Sequence, residues 1–291
     1  MDLIIRVYSG LNNKLLPLFS LLRIARKEKK NVKCLWGPDA YINKNMYEFI
    51  ELFKPINDIT FINEGEYVKS FYNKDNKIYN KMGSDRDRKE IIYKTNNDLN
   101  SVFFNIVHLI SYESDNVVGN FVPYPKEPIL KTDIIDELRE VLTDLIPINE
   151  INEKVNETIK DFNDNVLGIH IRSTDGGFVD VPKYDILKYI ETYLEKNVSS
   201  KIYISCDNEE LEKMIIDKFQ SNILYFKIPF GESYSDKFNR FSYGTKNAVC
   251  EMFVLSKCKN FVGTPGSSFS FMTWLLRKDD RLDFWCDNPW K

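Results

Sequence analysis

Residues 166–177 read VLGIHIRSTDGG, an apolar, β-branched run that breaks at Arg172 into polar residues and two glycines. The run has the length and composition of a buried strand, and the break marks where a strand hands over to a loop. Three more runs of this kind follow, Lys201 to Ser205, Ile223 to Ile228 and Asn260 to Gly263, with helical stretches between them. The helices start at recognisable places: Pro182 precedes Tyr184 to Leu194, and Asp207-Asn208 precedes Glu209. Such alternation predicts a parallel sheet covered by helices on both faces. Ligands of open α/β sheets sit at the carboxyl ends of the strands, which is where Arg172 falls.

Working outward, the same logic applies at the start of the chain. Residues 2–8 alternate as a strand, Gly10 punctuates, and Leu15, Leu18, Phe19, Leu22 and Ala25 recur at helical spacing before a second strand, Val32 to Trp36. Pro17 is expected in the first turn of this helix, where its missing N–H costs nothing. A helix near 46–53 and a strand near Ile59 to Ile62 continue the pattern. Residues from about Glu64 to Lys94 are charged and weakly periodic, so they read as a solvated insertion. A helix over Leu99 to Ile110 leads into a proline-rich stretch, Phe121 to Pro128, which reads as the linker. Helices near 132–145 and 151–162 follow it. The expected division is therefore 1–128, an α/β lobe with a charged insertion near 64–94, and 129–291.

A chain of 291 residues that is 43% hydrophobic can bury two modest cores. Its net charge of -3 is the sum of dispersed charges and offers no basic field for nucleic acid. The opening MDLIIRVYSG reads as a strand and not a signal peptide, and no stretch reaches the roughly 20 apolar residues of a membrane span. Cys34, Cys206, Cys250, Cys258 and Cys286 are odd in number and scattered, which points to buried reduced thiols and a cytoplasmic setting. Neither they nor His108 and His170 have zinc spacing, so no metal site is expected. Asp85-Arg-Asp87 lacks a preceding apolar strand and reads as solvated surface.

Three segments carry donor chemistry. Arg172 can fork onto phosphate oxygens, with Ser173, Thr174 and the glycine backbone beside it, although an Arg–Asp surface pair would read the same way. His170 lies on the strand itself and reads as a hydrogen-bonded core histidine that positions the loop. The segment GTPGSSFS, residues 263–270, places small hydroxyl residues at a helix start, where the dipole favours anions; Ser267 or Ser268 would also serve as the N-cap. It lacks the lysine and spacing of a P-loop. Gly10-Leu-Asn-Asn-Lys14 is the weakest of the three: Asn13 and Lys14 face the strand-end opening, or the segment is a structural turn with Asn in a left-handed conformation.

In this order the segments resemble the GT-B fucosyltransferases, the group of α1,6-fucosyltransferases and protein O-fucosyltransferases. The resemblance covers roughly residues 8–26 and 165–276. GLNNKLLPLFSLLRIAR is similar to the family's Gly-Leu-Gly-Asn-Arg opening, with Asn12 for the second glycine and Lys14 for the arginine. HIRSTD is similar to its His-x-Arg-Arg-Thr-Asp segment, with Arg172 at the diphosphate-binding arginine and Ser173 at the second. The run LSKCKNFVGTPGSS is the most specific match.

The resemblance implies a GT-B fold, two Rossmann-like lobes facing a cleft, with acceptor recognition in the N-terminal lobe and the nucleotide sugar in the C-terminal one. It implies transfer of fucose from GDP-fucose to a glycan hydroxyl with inversion and without metal or other cofactor. By it, Asp180 is the general base, with Asp175 next. His170, Arg172, Asp207, Arg240, Glu251, Thr264, Ser267 and Ser268 hold the nucleotide, with Glu251 facing guanine and Thr264, Ser267 and Ser268 the phosphates. Gly10, Asn13 and Lys14 reach the donor sugar. Another donor (GDP-mannose, GDP-rhamnose or a UDP-sugar) and a non-catalytic relative remain open, because Ser173 and Asn12 depart from the pattern.

Overall fold

The structure is a computed structural model that describes residues 2–7, 10–37, 47–71, 77–80, 132–162, 165–173, 183–224, 234–235, 241–242, 244–265, 267–277, 279 and 282–284. Elements are numbered over those residues. The expected helix at 99–110, the linker at 121–128, Asp85 and Asp87, His108, Cys286 and the end of the expected strand at 223–228 lie outside them. The chain divides into two compact units. One takes the described residues up to 80 together with 132–146, the other the described residues from 147 onward.

The first unit is built on strands β1 (Leu3–Val7), β2 (Val32–Trp36), β3 (Ile59–Phe61) and β4 (Lys77–Asn80), in the order β3-β2-β1-β4 and parallel throughout. Helix α1 (Leu11–Lys27) connects β1 to β2 and buries Leu15, Leu18, Phe19, Leu22 and Ala25, as the spacing requires. Each buried leucine and phenylalanine among them contributes about 1.5–3 kcal/mol by leaving water. The helix begins at Leu11, directly after an extended Gly10, so Pro17 lies in its second turn and not its first. With no N–H, Pro17 cannot make the helical bond back to the Asn13 carbonyl.

The stretch expected to be a solvated insertion contains regular structure instead. Helix α2 (Glu64–Phe71) opens on a capping box: Asn63 Oδ1 accepts from the Glu66 N–H at 2.9 Å, and Glu66 Oε2 accepts from the Asn63 N–H at 3.2 Å. Strand β4 then extends the sheet along β1. Helix α3 (Thr132–Val141) packs on α1. Buried Arg23 donates to Glu137 at 2.7 Å, Lys27 pairs with the same carboxylate at 2.7 Å, and Arg26 bonds Asp58 at 2.8 Å and also Asp144. These contacts place 132–146 in the first unit, so the boundary falls near 146 and not at 128.

The second unit holds α4 (Asn149–Ile159), β5 (Val166–Ile171), α5 (Lys183–Lys196), β6 (Lys201–Cys206), α6 (Glu209–Phe219), an antiparallel pair β7 (Tyr234–Ser235) and β8 (Phe241–Ser242), α7 (Thr245–Lys257), β9 (Asn260–Gly263), α8 (Ser268–Arg277) and β10 (Asp283–Phe284). Its main sheet runs β10-β9-β5-β6, all parallel. Ile223 adds a parallel bridge to Ile202. Every residue of β5 is buried. Leu167, Ile169 and Ile171 pack with Ile186, Ile190, Leu211 and Ile215 of α5 and α6. Gly168 points to the opposite face, where a Cβ would come within 2.9 Å of Leu255 Cδ2 on α7. Cys34, Cys206, Cys250 and Cys258 are buried free thiols. Among the described residues no helix is long and apolar enough to cross a membrane.

Candidate functional site

Because β5 is hydrogen-bonded to both β6 and β9, the residues just past these strands, Arg172, Asp207 and Thr264, come out side by side. Thr264 ties two of the strand ends together. Its hydroxyl accepts from the Arg172 N–H at 2.9 Å and donates to the His170 carbonyl at 2.9 Å, while its own N–H donates to Ser270 Oγ at 2.9 Å. The side chain is fully buried. Expected among the phosphate donors, Thr264 instead spends its hydroxyl inside the fold as a clip between β5 and β9.

Ser270 also lies 2.7 Å from His170 Nδ1, and the His170 ring stacks on Phe269. Burial, assisted by the Arg172 charge, pulls the His170 pKa down to about 3, so the imidazole is neutral and locked below the loop. Gly263 allows the close approach: a Cβ there would lie 2.6 Å from Ser270 Cβ. The start of α8 is thereby held against the end of β5. Ser267 caps it, accepting from the Ser270 N–H at a long 3.4 Å. Helix geometry leaves the N–H groups of Ser268 and Phe269 without intrahelical acceptors, the chemistry by which helix starts can receive anions. Ser267 and Ser268 are partly exposed.

Asp207 stands at the third strand end. Its Oδ1 accepts from the Ser173 N–H at 2.7 Å and its Oδ2 lies 3.3 Å from Arg172 Nη1. The next residue, Asn208, caps α6 by accepting from the Leu211 N–H at 3.0 Å. The Arg–Asp pair that the sequence left open thus exists, with Asp207 as the acid. A guanidinium carries five donors in a rigid fork. Farther along β6, Ser205 donates to Glu251 at 2.6 Å. Burial pushes the Glu251 carboxyl up to about 8, against the pull of the Ser205 bond and with a further push from Glu212.

Ser270 and Ser205 are the residues that sequence reasoning passed over. Both are small hydroxyls inside buried elements, a type that marks a site only once its partner is known. Asp175, Asp180, Thr174 and Arg240 lie outside the described residues.

In the first unit, Gly10 is extended (φ -60°, ψ 161°) and Asn13 is helical, so neither takes a left-handed turn. Lys14 does not face an opening: it is 2% exposed, with Nζ 4.9 Å from the Trp36 ring centre. Its ammonium stands over the ring face at the end of β2. Asn12 is buried and its Oδ1 accepts no hydrogen bond. Among the described residues no group of three or more His, Cys, Asp or Glu could hold a metal ion.

No family model and no curated protein matches the chain. Solved structures do. The NodZ α-1,6-fucosyltransferase soaked with GDP-fucose superposes with a TM-score of 0.58 at 14% identity, over 94% of this chain and 92% of that one. The fucosyltransferase NodZ from Bradyrhizobium gives 0.56 at 14% identity, over 94% and 93%. POFUT1 in complex with GDP gives 0.54 at 11% identity, over 97% and 96%. At such identities the likeness is one of fold, and the fold is that of the GT-B fucosyltransferases.

Proposed function

We propose that this chain is an inverting glycosyltransferase that moves a sugar, fucose from GDP-fucose in the first instance, to the hydroxyl of a glycan or glycoconjugate. The observation that carries the proposal is the join between the Arg172 strand end and the start of α8, fastened by the Arg172 N–H to Thr264 bond. It fixes the backbone of Arg172 against the strand end from which α8 starts, and a guanidinium together with the positive end of a helix suits two linked phosphates. The shared fold supports it, since neighbours with that fold are fucosyltransferases whose names record GDP or GDP-fucose.

In the proposed reaction the acceptor hydroxyl attacks the sugar C1 opposite the diphosphate. A carboxylate, Asp180 or after it Asp175, takes the hydroxyl proton as the bond to the diphosphate breaks. Arg172, Ser267, Ser268 and the first N–H groups of α8 hold the charge that gathers on the leaving nucleotide, the task a divalent ion performs elsewhere. Glu251 and Arg240 are proposed for the nucleoside end.

Thermal shift with GDP, UDP and their sugars tests the nucleotide, since a ligand that binds only the folded chain raises its melting temperature. Arg172→Ala should weaken GDP about 10- to 100-fold, the value of a charge-assisted contact to phosphate. A folded Arg172→Ala chain with unchanged GDP affinity removes the assignment. Ser173 favours one further reading, a different donor sugar or base, because the resemblance puts a second arginine there; stabilisation by UDP but not GDP would select it.

A further inference from the structure

The ladder between β5 and β6 pairs His170 with Ser205 and Ile171 with Cys206, and it runs one step further, with the Asp207 N–H donating to the Ile171 carbonyl at 3.3 Å. Asp207 is therefore fixed by its backbone opposite Arg172, and Asn208 pins the other side by starting α6. Its carboxylate then makes two contacts with one loop, to the Ser173 N–H at 2.7 Å and to Arg172 Nη1 at 3.3 Å. Asp207 is 13% exposed and Arg172 32% exposed. The acid is the more deeply buried of the two partners.

We propose that Asp207 is the positioning residue of Arg172: one carboxylate sets both the backbone that follows the arginine and the guanidinium itself, so the fork is aimed before a diphosphate arrives. This rests on the reading of Arg172 as the diphosphate contact. Two effects compete. A carboxylate near a diphosphate repels it. An unrestrained arginine instead pays rotamer entropy when it binds. The Asp207 charge is already answered by the Ser173 N–H and by Arg172, so the orienting effect prevails and the acid touches the arginine, not the nucleotide.

The test is calorimetric titration of GDP and of guanosine into the wild-type chain, Asp207→Asn, Arg172→Ala and the double variant, with melting curves for each. Asparagine keeps a carbonyl oxygen for the Ser173 N–H and replaces the charged acceptor that faces the guanidinium by an uncharged amide NH2. Asp207→Asn should weaken GDP about fivefold, the worth of a partly exposed charge pair. It should leave guanosine, which has no phosphate, unchanged, and should add nothing in the Arg172→Ala background.

Equal loss for GDP and guanosine would mean that Asp207 merely supports the fold. Additive losses would mean that it acts without Arg172, and unchanged or tighter GDP binding that repulsion prevails; each overturns the proposal. If Arg172→Ala itself leaves GDP affinity intact, or the wild-type chain binds no nucleotide, the diphosphate reading falls first and this one with it. UDP and uridine replace the pair if UDP is the nucleotide bound. Should Asp207→Asn not fold, Asp207→Glu, which displaces the carboxylate by one methylene, is judged by the same comparison.

Discussion

Glu251, on α7, and His170, on β5, show how single buried side chains answer to pH in opposite senses. Burial raises the folded pKa of Glu251 from 4.5 to about 8. An unfolded chain ionises that carboxyl from about pH 4.5 upward, so its contribution is complete below that pH and is lost as pH climbs toward 8. Glu251→Gln, which keeps an oxygen for the Ser205 hydroxyl, should therefore gain about 1–3 kcal/mol over the wild-type chain between pH 5 and pH 8.5. Denaturant unfolding at the two pH values measures it; an advantage that does not grow with pH would show that the proton is not held. His170 runs the other way, since its folded pKa falls to about 3: its contribution is intact above about 6.5 and erodes as the solution is acidified. Arg172 was legible because the apolar pattern breaks at it. A hydroxyl or an ammonium near a strand end can point either way, so the sequence leaves the directions of Thr264 and Lys14 open. The choice was made by His170, 94 residues from Thr264, and by the Trp36 ring.

Between elements, the tightest constraint is the approach of α8 to β9. A methyl group on Gly263 would stand 2.6 Å from Ser270 Cβ and 2.7 Å from its Oγ. Ser270 cannot yield cheaply, since it is held by the Thr264 N–H and by His170. Gly263→Ala should cost about 1–3 kcal/mol through overpacking, read as a lower denaturation midpoint; a variant as stable as the wild-type chain would show that the helix can shift away. The alternation of strands and helices that the sequence displays is present wherever the apolar period is clean, in β1, α1, β2, β5, β6 and β9. It failed for α2 and β4. The Asn63 to Glu66 capping box was available as a helix-start signal, but the surrounding charges masked the short apolar face. Strand β4 has Lys77-Ile78-Tyr79-Asn80, too little pattern to stand alone, and owes its conformation to pairing with β1, more than seventy residues earlier.

For the chain as a whole, the two-unit organisation was legible from length and from the repeat of the α/β pattern, but the position of the division was not. The proline-rich stretch suggested a cut at 128, whereas α3 is fastened to α1 through Glu137, whose carboxyl is pushed up by burial but held low overall by Lys27 and Arg23. Removing that helix strips a partner from an arginine only 2% exposed. A fragment ending at residue 146 should unfold cooperatively on heating, and one ending at 128 should not; the same melting curve for both would show that α3 is dispensable.

Every pairing in the two four-stranded sheets is parallel, and this governs how the chain must come together during synthesis. Parallel neighbours need a crossover, so none of these pairs can form as a local hairpin. The clip between Arg172 and Thr264 closes over 92 residues. As the chain emerges from the ribosome, β5 can pair with β6 early, but its other edge has no partner until β9 and the start of α8 have been made. Arg172 and Ser173 are thus among the last described residues of their unit to be fixed, and throughout that interval the half-open edge of β5 is what a chaperone would have to shield.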